Sequence, residues 1–135
     1  MRIPLRPKKG IDYLDVQIVD LKPQKVFTGK EGDNLVVEYT FLTKGRENLR
    51  NKVFTRFYRA DRGRKVYNER GILFDKFFVP GERVTNREII TANEDWPEGE
   101  MKMGLVMGSV VNNDFYPTSD SLFAVTVCPT TYAGS

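Results

Sequence analysis

The side chains that could do chemistry in this chain are few in kind. There is no histidine and a single cysteine, Cys128. That removes a Ser-His-Asp triad, a Cys-His pair and imidazole metal ligation together. Cys128 ends an apolar run, which reads as a small buried hydrophobe rather than a nucleophile. The eighteen acids make carboxylate pairs inevitable, but no motif marks a pair for general acid–base work. Asn112, Asn113, Asp114 and Asp120 offer oxygen ligands, yet lack the Gly and Glu offsets of an EF-hand loop. They read as a polar turn, with no metal. Met101, Met103 and Met107 recur with strand spacing and read as a core face. No cofactor is expected, and the chain is read as not an enzyme.

What remains is binding chemistry. The 21 basic and 18 acidic residues sum to +3, but they are zoned. Residues 1–10 carry Arg2, Arg6, Lys8 and Lys9 and no acid, a charge of +4. Residues 44–70 hold ten basic residues against Glu47, Asp61 and Glu69, a charge of +7; the remainder carries −8. The segment from Lys44 to Lys52, with Arg46 and Arg50 between, is read as a polar loop at the end where the first strand begins. On that reading Arg2, Arg6, Lys8, Lys9, Lys44, Arg46, Arg50 and Lys52 converge into one basic pole. Such a pole suits an acidic partner: a protein subunit, a charged glycan or nucleic acid. Phe54, Arg56 and Tyr58 alternate along one strand face, a pattern that can stack on sugars or bases. The plainer reading makes them core cover and rim. Glu94, Asp95, Glu98 and Glu100 form an acidic cluster, placed on the same topology beside Arg62, Arg64 and Lys65. It could pair within the chain or meet the basic pole of another copy head to tail.

The elements that must position these residues are strands. At 135 residues the chain is long enough for one domain with a real core. Val occurs fourteen times and Ala four, and aromatic residues make up 12%, which favours pleated structure over helix. Alternation marks strands over 13–21, 34–43, 53–60, 72–79, 84–91, 100–108 and 122–128, with short additions at Val26-Phe27 and 65–68. Breaks fall at Lys22-Pro23, Pro80-Gly81-Glu82 and Trp96-Pro97. A long polar loop is expected from Ser109 to Ser121. The prediction is an all-β, antiparallel sandwich of about seven to nine strands over 13–129. A basic, Pro-containing arm (1–12) precedes it and a short tail (130–135) follows.

The order of features resembles immunoglobulin-like modules of bacterial surface proteins and phage virions, in the style of the bacterial cell-adhesion-related domain. The residues that carry the likeness are the first strand's ending, Leu35 to Phe41, Val53 to Tyr58, Pro80-Gly81-Glu82 and Pro97-Glu98-Gly99-Glu100. It spans about residues 11–128. The Cys-Trp-Cys spacing of antibody domains is missing. Thr28-Gly29 and the aromatic-Arg strand are also similar to sugar-binding sandwich domains of polysaccharide exporters. The first resemblance implies an immunoglobulin-like fold and a structural or interaction role, such as a phage capsid-decoration or accessory protein assembling with other subunits. The second implies a glycan-binding module. Nucleic-acid binding is a further alternative. The N-terminus has no apolar run behind its charges, and no stretch approaches the ~18 apolar residues of a membrane span. Synthesis in the cytoplasm and no membrane partner are therefore expected, and the first resemblance implies residence in a virion. Cytoplasmic or cell-surface residence without a signal peptide is the alternative.

Overall fold

The computed structural model describes residues 14–24, 26–27, 34–45, 49–60, 65–66, 71–91, 96 and 99–128. Nine strands make up this part: β1 (Asp15–Pro23), β2 (Val26–Phe27), β3 (Asn34–Lys44), β4 (Leu49–Arg59), β5 (Lys65–Val66), β6 (Leu73–Phe78), β7 (Val84–Thr91), β8 (Gly99–Val111) and β9 (Asp114–Cys128). They form a three-stranded sheet, β1-β3-β7, and a six-stranded sheet, β2-β9-β8-β4-β5, in which β6 also pairs with β4. All pairings are antiparallel except β2 with β9. Seven strands are substantial and two are two-residue pairs, as the alternation pattern predicts.

The period-2 pattern decides which face is buried. On β3, Leu35, Val37, Tyr39, Phe41 and Thr43 point inward and are buried, while Glu38 and Thr40 are half-exposed. Val53 and Phe57 of β4, Met101, Met103, Leu105 and Met107 of β8, and Phe123, Val125 and Val127 of β9 face them in the core, which also takes in Val16, Phe78 and Ile90. Phe57 meets Phe123 edge-on at 6.1 Å and Tyr39 at 6.2 Å, joining the two sheets. Lys22-Pro23 ends β1, and the chain then changes sheet, so that β2 runs parallel beside the end of β9.

Two expected loops are shorter than the sequence suggests. The polar segment 44–52 becomes strand from Leu49 onward. The expected loop 109–121 is instead a continuous hairpin turned by Asn112 (φ 53°) and Asn113 (φ 63°). Two successive positive φ angles are the requirement of a type I′ turn, which asparagine tolerates. The polar residues beyond it belong to strand β9 because they serve the edge of β1. A bulge between Met107 and Gly108 leaves Thr118 between the pairs Met107–Ser119 and Gly108–Pro117. Thr118 Oγ1 then accepts from Val16 N–H (2.8 Å) and donates to the Val16 carbonyl (3.0 Å). Ser109 Oγ accepts from Leu14 N–H and Ser119 Oγ from Ile18 N–H, each at 3.1 Å.

Candidate interaction surface

Strand register gathers three of the predicted basic residues at one end of the sandwich. Lys44 pairs with Asp15 where β1 starts, Leu49 pairs with Phe78, and Lys52 pairs with Val110, next to the Asn112-Asn113 turn. The turn at Pro80-Gly81 lies at the same end, with Gly81 N–H donating to the Thr43 carbonyl at 2.9 Å. Lys44, Arg50 and Lys52 are all exposed. Lys44 belongs to the smaller sheet, and Arg50 and Lys52 to the outer face of the larger. Arg50 Nη2 lies 3.4 Å from Asp75 Oδ1. Arg2, Arg6, Lys8, Lys9 and Arg46 lie outside the described residues, as do Arg62, Arg64, Glu94, Asp95 and Glu98. Glu100 is exposed at the opposite end, paired with Thr126.

Between β6 and the β8–β9 turn lies an open groove of about 480 Å³. Arg50, Asn51, Lys52 and Asp75 form one side, and Val110, Val111, Asn112 and Asn113 the other. Asn51 Oδ1 is already engaged by Lys52 N–H at 2.7 Å. The groove therefore offers two cations, one partly neutralised, and the two turn amides over a valine floor. Such a lining is chemically suited to an anionic, hydrogen-bonding group. Asn112 and Asn113 were legible as a polar turn, but only the hairpin brings them against Arg50 and Lys52.

The proposed stacking face divides. Phe54, Arg56 and Tyr58 do share the outer face of β4, with Arg56 Cζ 5.7 Å from the Phe54 ring centroid. Phe54 is half-buried, edge-on to Phe115 at 5.6 Å across β8. Tyr58 is fully buried: its ring lies against Gly104 and its hydroxyl donates to Asp120 Oδ1 at 2.7 Å. Tyr58 is thus no platform, because no ring face is open to a ligand. Among the described residues, Leu73 and Phe77 on β6, at 51% and 54% exposure, and Leu122 on β9, at 40%, are open apolar side chains of this face. Sequence alternation placed Leu73 and Phe77 on a strand but could not say that the strand is an edge.

Asn112, Asn113 and Asp114 also part from Asp120, which pairs with Val106 further along β9 while Asp114 pairs with Val111. Six residues of strand, roughly 20 Å, separate the two, so the four do not form one ligand set. Among the described residues no group of three or more Cys, Asp or Glu is placed to hold a metal.

A polar cluster does sit inside the core. Thr55 Oγ1 donates to Glu88 Oε1 at 2.7 Å, Tyr39 Oη donates to the same oxygen at 3.2 Å, and Asn86 Nδ2 donates to Tyr39 Oη at 3.2 Å. Tyr39 and Thr55 are fully buried and Glu88 is 2% exposed. Burial, and then the Glu88 charge, push the Tyr39 phenol well above its ordinary value of 10.0. The cluster ties β3 and β7 to β4 across the two sheets. Tyr39, Thr55 and Glu88 are closed to solvent and Asn86 is half-buried at the rim of the cluster.

The fold and this surface define an immunoglobulin-like β-sandwich module with a basic groove at one end. No protein-family model matches the sequence, and no curated protein matches it either. Among solved structures, a putative beta-galactosidase from Bacteroides fragilis shares the fold at a TM-score of 0.55 and 9% identity, over 84% of this chain. The chain spans only 18% of that structure's length. A Niemann-Pick type C2 protein from Japanese carpenter ant matches at a TM-score of 0.50 and 8% identity, over 93% of this chain and 99% of its own. At such identities the likeness shows an all-β sandwich and nothing of activity.

Proposed function

We propose that this chain is a non-catalytic interaction module that docks an acidic partner at its basic end. The observation that supports it is the groove in which Arg50 and Lys52 stand exposed opposite Asn112 and Asn113, with Lys44 at the same end. Two cations at the mouth of a turn-lined groove raise the local concentration of an anionic partner and orient its approach. The setting carried by the sequence resemblance is a virion, with the module decorating or bracing a shell of other subunits.

The test is charge reversal of Arg50→Glu with Lys52→Glu. Binding of poly-glutamate is measured by anisotropy over a salt series, and recovery with particles from the producing strain is followed by sedimentation. Loss of both in the variant, with an unchanged melting curve, supports the reading. Undiminished binding overturns it. Preference for a DNA duplex over poly-glutamate, with affinity falling steeply with salt, would replace it with the nucleic-acid alternative.

A further inference from the structure

We propose that the partner enters as an extended strand, added to the sheet at the open edge of β6, with an acidic side chain facing Lys76. This rests on the acidic-partner reading above and names how that partner is held.

Among the described residues, β6 pairs with β4 on one side and with no strand on the other. An edge strand presents unused N–H and C=O groups, a template for a further strand. The residues that flank this edge fit such an addition. Leu73 and Phe77 project outward and are exposed, with Asp75 between them. Across β4 they face Phe54, Lys52 and Arg50, so the edge is continuous with the basic groove. A strand laid along β6 would cover Leu73 and Phe77 with its own outward apolar side chains. Main-chain bonds would supply affinity and the alternate side chains specificity.

Charge selects the occupant. On the inward face Phe78 is buried, and Lys76 is half-buried with Nζ 5.5 Å from the Phe78 ring centroid. A second copy of the chain meets a like-charge penalty in the two central registers of β6. A two-fold axis that continues the sheet pairs outward residues with outward ones and inward with inward. The register centred on Asp75 sets that carboxylate against its own copy, and the register centred on Lys76 sets two ammonium groups together. Like charges directly opposite destabilise a strand pair, and a charge pointing inward on an edge guards against self-pairing. A foreign strand with an acid opposite Lys76 meets neither penalty.

The probe is a capped nine-residue peptide with Val at even positions, Thr at odd positions and Glu at the fifth. Its twin carries Lys at the fifth. Fluorescence anisotropy against the full chain should show the Glu peptide binding roughly fivefold tighter than the Lys peptide. The Lys76→Glu variant should reverse that order. Lys76→Gln, which keeps a long stem near Phe78, should narrow the preference without reversing it. It also serves if the Glu variant does not fold. N-methylation of the Glu peptide in one of its two alternate frames should abolish binding, while the other frame is tolerated, because only one edge of the peptide meets β6. Equal binding of the Glu and Lys peptides, or indifference to methylation in both frames, overturns strand addition. Methylation-indifferent binding that is lost in the Arg50→Glu, Lys52→Glu variant overturns this inference and leaves the basic-end reading standing. Frame-dependent binding that survives that double variant supports strand addition and sinks the basic-end reading. Tighter capture of an acidic oligosaccharide than of any peptide overturns the strand.

Discussion

Thr118 acts on Val16 as a neighbouring strand would: its hydroxyl oxygen accepts from the Val16 N–H at 2.8 Å and its proton goes to the Val16 carbonyl at 3.0 Å. One side chain thus satisfies both backbone groups of an edge residue, and the bulge that aims it costs only a local break in the β8–β9 ladder. Thr118→Val keeps the shape and removes both bonds. We expect a loss of about 1–3 kcal/mol in chemical denaturation, since two part-buried groups lose their partner. Thr118→Ser should retain most of the stability. A valine variant as stable as the parent would show that water takes over the clasp.

Gly104 is required by Tyr58. A Cβ there would run into the Tyr58 ring, which is fully buried and bonded through its hydroxyl to Asp120. Gly104→Ala should therefore lower stability by roughly 1–3 kcal/mol through overpacking. Adding Tyr58→Leu should recover part of that loss, a positive coupling measurable by a double-mutant cycle. Strict additivity would refute the contact as the cause.

The Tyr39 phenol gives the stability curve an alkaline limb. Its folded pKa lies above the ordinary 10.0, so the folded state holds that proton more tightly than the unfolded chain. The stabilisation is complete below about pH 10 and is lost as pH rises beyond it. Unfolding followed from pH 8 to 11.5 should show stability falling above pH 10. Tyr39→Phe should start lower, because Glu88 and Asn86 lose a partner, and should fall less steeply. Parallel limbs would mean that other groups set the alkaline dependence.

Asp75 restrains the groove. Its pair with Arg50 is largely exposed, at 44% and 70% for the two side chains, so it contributes little to folding, about 0–1 kcal/mol. Asp75→Asn should leave the melting curve almost unchanged while removing the negative charge that offsets Arg50 in the groove. Poly-glutamate should then bind several-fold tighter at low salt, with the advantage shrinking as salt screens it. Unchanged affinity would place the docking surface elsewhere.

The strands were legible because core burial imposes a period of two, and Leu35, Val37, Tyr39 and Phe41 display it without exception. The all-β class and the approximate strand count followed from that period together with composition and the turn signals. Less was legible in 109–121, where Thr118 and Ser119 read as loop because polar residues ordinarily signal solvent. Here they face a backbone edge that belongs to a strand a hundred positions earlier.

Sequence by itself determined a β-sandwich, a chain poor in catalytic groups, and the zoning of charge, since composition and alternation are local quantities. Tertiary structure alone decided which residues of those strands remain available. Register put Arg50 and Lys52 beside the Asn112-Asn113 turn, buried Tyr58 on Gly104, and left Leu73 and Phe77 outward on an edge. The physical reason is that exposure and strand partnership depend on which distant segment lies alongside. No window of neighbouring residues carries that information.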